Sequence, residues 1–175
     1  MEAQLVFPDY CHETVMKKFA NDILEYDKSD MINGSGFYLQ YKDDFISWIK
    51  KEKHMHLGIE MEAELVPGTT FLYMMNNEIV GIINVRHSLN DYLLKVGGNI
   101  GYSIHPRYRR QGFATKMLSE ALEFCKVWEI TPVLVTCDKD NIASRKTIEK
   151  CGGVFENEYK EGAETILRFW IGEKQ

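Results

Sequence analysis

An apolar run, a basic turn containing glycine and an amphipathic helix follow one another over residues 100–115. The turn holds Arg109, Arg110 and Gly112, and the helix pattern starts directly after it. The first backbone N–H groups of a helix have no acceptor within the helix, and the helix dipole adds positive charge at the same end. These residue types in this order predict a binding site for an anion such as a phosphate or pyrophosphate.

Two common nucleotide-binding loops do not fit this segment. It lacks both the Gly-x-x-x-x-Gly-Lys-Ser/Thr spacing of a Walker-type loop and the Gly-x-Gly-x-x-Gly spacing of a dinucleotide-binding turn. What remains is Arg109-x-x-Gly112-x-Ala114, whose small residues let a ligand approach the backbone closely. A capped helix with solvated arginines is the simpler alternative, and for Arg107 it is the interpretation we favour.

Together with its flanks, the segment resembles the coenzyme A pyrophosphate motif of the GNAT acetyltransferase superfamily, Gln/Arg-x-x-Gly-x-Gly/Ala. A second block, residues 141–155, is similar to that superfamily's helix with Asn at its start and the Gly-Phe-like turn after it. The resemblance covers residues 69–172 and before that rests on the order of elements alone. The nearest likeness is to uncharacterised bacterial acetyltransferases.

The resemblance implies acetyl-CoA as co-substrate and a set of positions that bind it. These are Tyr102, Ser103, Ile104, Arg109, Arg110, Gln111, Gly112, Phe113, Ala114, Thr115, Asn141 and Ser144. The backbone amides of Tyr102 and Ile104 would polarise the thioester carbonyl, because in this family the strand splays from its neighbour. Pro106 helps the strands part, since it has no N–H to continue a ladder. For Asn141 and Ser144, plain helix capping is the alternative to contact with the pantetheine arm.

The general acid and the general base of the reaction are harder to assign. Many family members carry a tyrosine seven residues after the Asn that starts this helix, which here is Asn141. In this chain Ile148 occupies that position, and it is predicted to pack in the core. The loss of general-acid help slows a reaction by about 10²–10⁴-fold. The candidate base is His87, at the end of the strand that pairs with the one carrying the amides, because residues 97–99 hold no carboxylate. An ordinary loop histidine and a water chain are the alternatives, and no metal site is predicted.

Composition narrows the possible classes of protein. A chain of 175 residues with 45% hydrophobic content predicts one globular domain over residues 1–175. No apolar run approaches the ~20 residues of a membrane span, and the net charge of −5 argues against non-specific nucleic-acid binding. The four cysteines show no CxxC pair or other metal-ligand spacing, which favours a reducing cytoplasm. We expect a cytoplasmic monomer or homodimer with neither membrane nor nucleic acid as partner.

Hydrophobic periodicity predicts the elements that position these residues. Strands are predicted at 4–7, 69–75, 78–86, 99–104, 133–136, 154–157 and 165–171, and helices at 12–26, 42–53, 113–128 and 141–150. The order β-α-α-β-β-β-α-β-α-β-β predicts an α/β (α+β) fold with a central mixed, mostly antiparallel sheet flanked by helices. It is also the order of the GNAT fold. Residues 33–36 are predicted to be a flexible loop, and Asp140 is predicted to cap the last helix.

The sequence therefore predicts an N-acetyltransferase that moves the acetyl group of acetyl-CoA to a primary amine of a small molecule or peptide by direct attack in a ternary complex. A non-catalytic acyl-CoA-binding or regulatory module is the alternative, and a nucleotide-phosphate-binding enzyme is a more distant one. The acceptor pocket is expected between residues 25–70 and the final hairpin. The aromatic residues that line it or simply pack there are Tyr26, Tyr38, Tyr41, Phe45 and Trp48.

Overall fold

The computed structural model describes residues 2–172, in which one sheet runs through the centre of the molecule. Its strands are β1 (Gln4–Val6), β2 (Gly68–Met75), β3 (Glu78–Arg86), β4 (Ile100–Ile104), β5 (Val133–Asp138), β6 (Val154–Glu161) and β7 (Glu164–Ile171). The strand order across the sheet is β1-β2-β3-β4-β5-β7-β6. The pair β4–β5 is parallel, and the other neighbouring pairs are antiparallel. The predicted mixed, mostly antiparallel sheet is confirmed.

Four α-helices cover the two faces of the sheet. They are α1 (Glu13–Asp27), α2 (Phe45–Leu57), α3 (Phe113–Val127) and α4 (Ile142–Lys150). The helices α1 and α2 share one buried cluster with Leu72 and Ile82 of the sheet. The helices α3 and α4 share the other buried cluster with Ile83, Val85 and Ile100. The predicted element order is therefore confirmed, with helices on both faces.

Capping side chains set two helix boundaries differently from the prediction. The helix α2 begins at Phe45 rather than residue 42, because the Asp44 carboxylate accepts a hydrogen bond from the Ser47 amide (3.1 Å). Asp140 does not cap α4. The residue that does is Asn141, whose side-chain oxygen accepts a hydrogen bond from the Ser144 amide (3.0 Å).

Two further elements differ because their sequences carry no strong pattern. The strand β6 continues to Glu161, well beyond residue 157, because it pairs with β7 along its whole length. Most of its side chains are exposed, so apolar alternation does not mark its end. A short π-helix, Leu93–Gly97, lies in the connection between β3 and β4, where the sequence pattern predicted no helix.

Residues 33–36, which the sequence predicted as a flexible loop, pack against β4. Gly34 has φ +82°, and a Cβ there would lie 2.3 Å from the carbonyl oxygen of Gly101, so this approach requires glycine. The Ser103 hydroxyl donates a hydrogen bond to the Asn33 carbonyl (2.8 Å). Ser35 is buried. The loop is thus a packed part of the fold that covers β4, the central strand of the sheet.

Candidate functional site

The strands β4 and β5 diverge after one paired position. Ile100 lies opposite Val135, and within residues 2–172 no further pair joins the two strands. On its other side, β4 stays paired with β3 up to Ile104, which lies opposite Gly81. The gap between β4 and β5 therefore opens towards the C-terminal ends of both strands, immediately before Pro106.

The alternation of backbone groups decides which amides of β4 face this gap. The His105 amide donates a hydrogen bond to the Val80 carbonyl (2.9 Å), on the β3 side. Because N–H groups alternate along a strand, the amides of Tyr102 and Ile104 point to the other side, towards β5. Pairing with β5 has already ended there. These are the two amides that the sequence analysis singled out.

The turn after β4 delivers a helix N-terminus to the mouth of the gap. Gly112 has φ +84° and precedes α3 without a side-chain cap. The Lys116 amide donates the first helical bond to the Gly112 carbonyl (3.2 Å), so the amides of Phe113, Ala114 and Thr115 point out of the helix end. A Cβ at Gly112 would meet nothing within 4 Å. The space beside Gly112, at this end of the helix, is therefore open.

The guanidinium of Arg109 is held by the fold. Its Nε donates a hydrogen bond to the Ile104 carbonyl (2.9 Å), and its two terminal nitrogens pair with both carboxylate oxygens of Asp27 at the end of α1 (2.6 and 2.7 Å). This hydrogen-bonded pair lowers the pKa of Asp27. The side chain that the sequence analysis assigned to the anion therefore positions the turn, and its charge is already paired.

The other polar side chains of the turn point in different directions. Arg107 pairs with Glu78 on β3 and is exposed, in agreement with the solvated role favoured for it. The Gln111 side chain donates a hydrogen bond to the Arg107 carbonyl (2.8 Å). Arg110 has φ +61° and is exposed, with no ion-pair partner in the described chain. Arg110 is therefore the arginine of the turn whose charge is available to a phosphate.

Tyr102 crosses the gap on the α3–α4 face. Its hydroxyl lies 2.8 Å from the Ser144 hydroxyl on α4, so the structure brings these two predicted site residues together. Burial raises the pKa of Tyr102 to about 12, so the phenol is protonated at neutral pH. The Asn141 side-chain oxygen, by contrast, is used in capping α4.

Ile148, on the same helix, is 0% exposed and belongs to the buried cluster under α3, so the prediction that it packs in the core is confirmed. A tyrosine hydroxyl nevertheless lies beside α4, because Tyr102 reaches Ser144 on that helix from β4. Tyr102 was predicted to act through its backbone amide, and its hydroxyl was not predicted as a site group. The period of β4 contained that signal, because it puts Tyr102 on the same face as the buried Ile100 and Ile104.

His87 lies away from the open part of the gap. The strand β3 runs antiparallel to β4, so its last residues lie beside the start of β4, where β4 and β5 are still paired. The His87 Nε2 contacts the Thr69 hydroxyl (2.8 Å), which also contacts His56, and the ring packs on Trp128. Burial, with a smaller effect of His56, lowers the pKa of His87. The candidate base of the sequence analysis, His87, therefore lies at the paired end of β4 and not at the mouth of the gap.

The α1–α2 face beside the gap carries a buried polar network that the sequence analysis missed. The Glu52 carboxylate, 6% exposed, accepts hydrogen bonds from the Phe37 amide (3.0 Å), the Trp48 indole (2.9 Å) and the Thr70 hydroxyl (2.5 Å). Burial raises the pKa of Glu52 despite these donors. The Thr70 oxygen also accepts a hydrogen bond from Asn84 (3.0 Å). Glu52, Thr70 and Asn84 come from α2, β2 and β3, so no local sequence motif predicts this network.

The aromatic residues expected near the acceptor pocket mostly pack. Tyr38, Phe45 and Trp48 are buried in the cluster of α1 and α2, and Tyr41 is packed against it. Tyr26 is exposed, and its ring lies 5.5 Å from the Arg109 guanidinium. Among residues 2–172, no cluster of histidine, cysteine and acidic side chains has the arrangement of a metal site. In that same stretch, no helix has the length and apolarity to cross a bilayer.

Residues 16–154 match the family described as "Acetyltransferase (GNAT) domain". No curated protein matches the sequence.

Among solved structures, RimL, a ribosomal L7/L12 alpha-N-protein acetyltransferase in complex with coenzyme A, is 13% identical with a TM-score of 0.72, over 98% of this chain and 94% of that one. The microcin C7 self-immunity acetyltransferase MccE, in complex with acetyl-CoA and AMP, is 16% identical with a TM-score of 0.67, over 97% and 93%. Ribosomal-protein-S5-alanine acetyltransferase from Vibrio fischeri is 14% identical with a TM-score of 0.71, over 98% and 93%. At these identities the likeness establishes a shared fold.

Proposed function

The chain belongs to the GNAT acetyltransferase family, and we propose that it transfers the acetyl group of acetyl-CoA to a primary amine of a small molecule or peptide. Membership makes it an acyltransferase, and the acceptor and the residue roles are the proposal. The observation that carries the proposal is the gap between β4 and β5, which opens onto the free N-terminus of α3. A long thioester fits this layout with its phosphates at the helix and its carbonyl beside β4.

In this proposal, the helix end binds the pyrophosphate through backbone groups. The amides of Phe113, Ala114 and Thr115 donate hydrogen bonds to phosphate oxygens, and the helix dipole favours their negative charge. Arg110 adds a free positive charge from the preceding turn. Because the phosphates are bound mainly by backbone groups, the role of Gly112 is to leave space for them, since it has no side chain that would occupy that space.

The reacting centre lies at β4. The amide of Tyr102 or Ile104 donates a hydrogen bond to the thioester oxygen, on which negative charge develops as the amine attacks directly in the ternary complex. The pantetheine arm runs past Asn141 and Ser144. The Tyr102 hydroxyl, protonated at neutral pH, donates a hydrogen bond to the sulfur as it leaves as thiolate. In this proposal Tyr102 of β4 is the general acid, the role that a tyrosine at the position of Ile148 has in many family members.

The amine must lose a proton before it attacks, and we propose that a water chain carries this proton to Asp138. Asp138 ends β5 on the α1–α2 face, is exposed, and is not used in the cap of α4. A pH–rate profile tests the assignment: Asp138→Asn removes the acidic limb of kcat/KM, and His87→Ala leaves it in place. If the acidic limb is lost in His87→Ala and kept in Asp138→Asn, His87 is the base. If both variants keep the limb, neither side chain is the base and water accepts the proton.

Acetyl-CoA titration by calorimetry and acetyl transfer followed by mass spectrometry test the function itself. The acceptor panel starts with peptide N-termini, because the similar structures RimL and the S5 enzyme are described as protein acetyltransferases. It continues with free amino acids, polyamines and aminoglycosides. Binding without transfer to any amine would support the alternative, a non-catalytic acyl-CoA-binding module. The free state of all four cysteines supports the cytoplasm as location, and monomer or homodimer stays the proposed state.

A further inference from the structure

The side chain of His105, at the start of the turn that leads to α3, connects this turn to α1. Only 12% of the side chain is exposed, and its ring contacts Phe19 of α1 and Tyr108 of the turn, with ring centroids 5.9 and 5.8 Å away. Its Nδ1 accepts a hydrogen bond from the Arg107 amide (3.2 Å), and its Nε2 lies 2.9 Å from the Asp22 carboxylate. Both ring nitrogens are therefore used, one within the turn and one across to α1.

These contacts determine which form of the ring makes them. Hydrogen bonds with Lys18 and His105 lower the pKa of Asp22, so its carboxylate is ionised and can only accept hydrogen bonds. The Nε2 of His105 therefore carries the hydrogen and donates it to Asp22, and Nδ1 keeps the lone pair that the Arg107 amide needs. A second proton on the ring would be on Nδ1 and would face the Arg107 N–H, so a protonated ring loses this contact.

The charged and titratable groups that face the ring come from three elements. They are Lys18 and Asp22 of α1, Glu78 of β3, and Arg107 and Tyr108 of the turn. Lys18 pairs with Asp22, and the side chains of Arg107 and Tyr108 both contact Glu78. Asp22 keeps its contact with Nε2 in either charge state of the ring. The hydrogen bond from the Arg107 amide is therefore the contact that depends on the proton.

This hydrogen bond bears on the proposed coenzyme site through the backbone that follows it. His105 caps a short 3-10 turn, Pro106–Tyr108, by accepting the Arg107 amide at its start. The chain then passes through the exposed Arg110 to Gly112 and the amides at the start of α3. Because a cap fixes the conformation in which the chain enters a helical turn, His105 sets the course of the backbone towards the helix end.

We propose that His105 is a positioning residue for acetyl-CoA: its neutral ring, held between the Arg107 amide and Asp22, keeps the turn in the conformation that binds the pyrophosphate, and protonation of the ring weakens that binding. The inference rests on the proposed function and adds to it a residue that acts through the backbone of the turn. Because the effect is on binding, it appears in the affinity for the coenzyme and in its pH dependence, whichever amine is the acceptor.

Calorimetric titration with coenzyme A at about pH 8 and about pH 5.5, on either side of the range in which histidine gains a proton, tests the inference. Between the two, we expect the wild type to lose roughly fivefold more affinity than His105→Asn, the value of one lost cap. Asparagine accepts amides at many helix caps and cannot gain a proton, so this variant should match the wild type at the higher pH. His105→Ala offers no acceptor and should have the lower affinity at both.

Two controls isolate the effect of the ring. Coenzyme A carries a phosphate monoester that gains a proton at about pH 6, but it does so with every variant, so the measure is the difference between proteins. His12→Asn is the matched variant, because the Nδ1 of His12 also accepts a backbone amide, that of Asp9 (2.9 Å), at the start of α1. It should keep the affinity and the pH dependence of the wild type.

The Arg107 amide gives a second readout that needs no ligand. Its NMR resonance should move as the pH is lowered in the wild type, because the amide loses its acceptor, and should stay in place in His105→Asn. This measurement separates a local change in the turn from a general loss of folding, since it reads one residue of the folded protein.

Equal pH dependence in the wild type and His105→Asn, or an Arg107 resonance that does not move, overturns the inference and leaves the proposed function standing. A wild type that binds no coenzyme A at either pH counts against the proposed function, and the inference falls with it.

Discussion

The two faces of the gap between β4 and β5 are built by different means. The α3–α4 face takes the groups proposed to bind phosphate from one continuous segment, residues 104–115, and most of them are backbone amides. The α1–α2 face takes its polar side chains, Glu52, Thr70 and Arg86, from three separate elements, and they are held by hydrogen bonds between distant parts of the chain. A co-substrate shared by a whole family suits a backbone site, whereas an acceptor that differs between members suits a side-chain site.

The comparison also shows what each face tolerates. A backbone site survives side-chain replacement as long as the turn keeps its conformation, so its weak points are glycine and the packing beneath it. A side-chain site loses its selectivity through one substitution while the fold remains.

The packing beneath the α3–α4 face gives the largest effect. Ile148→Ala removes a side chain that is 0% exposed, and we expect the free energy of unfolding to fall by about 2–5 kcal/mol. Ile142→Ala, on the same helix but 52% exposed, should cost less than about 0.5 kcal/mol. Urea denaturation measures both. Similar losses for the two variants would mean that α4 is not anchored through Ile148.

The open helix end gives the next effect. Gly112→Asp puts a carboxylate where phosphate oxygens are proposed to lie, and we expect the affinity for coenzyme A to fall by roughly 100-fold, or about 2.7 kcal/mol. Gly152→Asp is the matched control, since Gly152 also has positive φ (+88°) and open space around it, and it should leave the affinity unchanged. Calorimetry of the folded variants gives both values, and equal affinities would remove the pyrophosphate from this site.

The phenol at the gap should affect rate but not binding. Tyr102→Phe keeps the amide and loses the hydroxyl, so we expect kcat to fall roughly tenfold or more with the acetyl-CoA affinity unchanged. Tyr73→Phe serves as control, because Tyr73 is also buried and hydrogen-bonded, to Glu120, away from the gap. Single-turnover measurements separate chemistry from release. A weaker acetyl-CoA complex with unchanged kcat would make the hydroxyl a binding group.

The buried carboxyl on the α1–α2 face predicts a pH effect on stability. Burial raises the pKa of Glu52 above 4.5, so the folded protein holds a proton that the unfolded chain has released. The contribution of Glu52 to the free energy of unfolding is therefore greatest below pH 4.5. It falls as the pH rises from 4.5 towards the pKa of Glu52 in the folded protein, by up to about 1.4 kcal/mol per pH unit.

Glu52→Gln should remove this slope in urea denaturation between pH 4.5 and 7. Glu62→Gln is the control, at an exposed glutamate whose pKa the lysine Lys51 lowers, and it should keep the descending slope. A slope that persists in Glu52→Gln would show that other groups cause it.

The sequence predicted the fold and the α3–α4 face better than the α1–α2 face, for a physical reason. Helix periodicity and the pattern from Arg109 to Ala114 are local, and they determine local structure. Two partners of Glu52, Phe37 and Thr70, are 15 and 18 residues away in the chain, and a partner of Arg86, Gly97, is 11 residues away, so only the folded chain brings them together. Arg109 shows the limit within the local motif, because its charge is paired with Asp27, 82 residues earlier.

Because Arg109 is paired with Asp27, a ligand bound at the turn should protect from local unfolding a part of the protein that lies beyond the residues contacting the ligand. Opening the last turn of α1 releases the turn that presents the helix end, so a ligand held there must also oppose that opening. Amide protons in the final turn of α1 should then exchange with deuterium more slowly when coenzyme A is bound. Hydrogen exchange at the end of α1 would thus report binding at the start of α3, which is far away in the sequence.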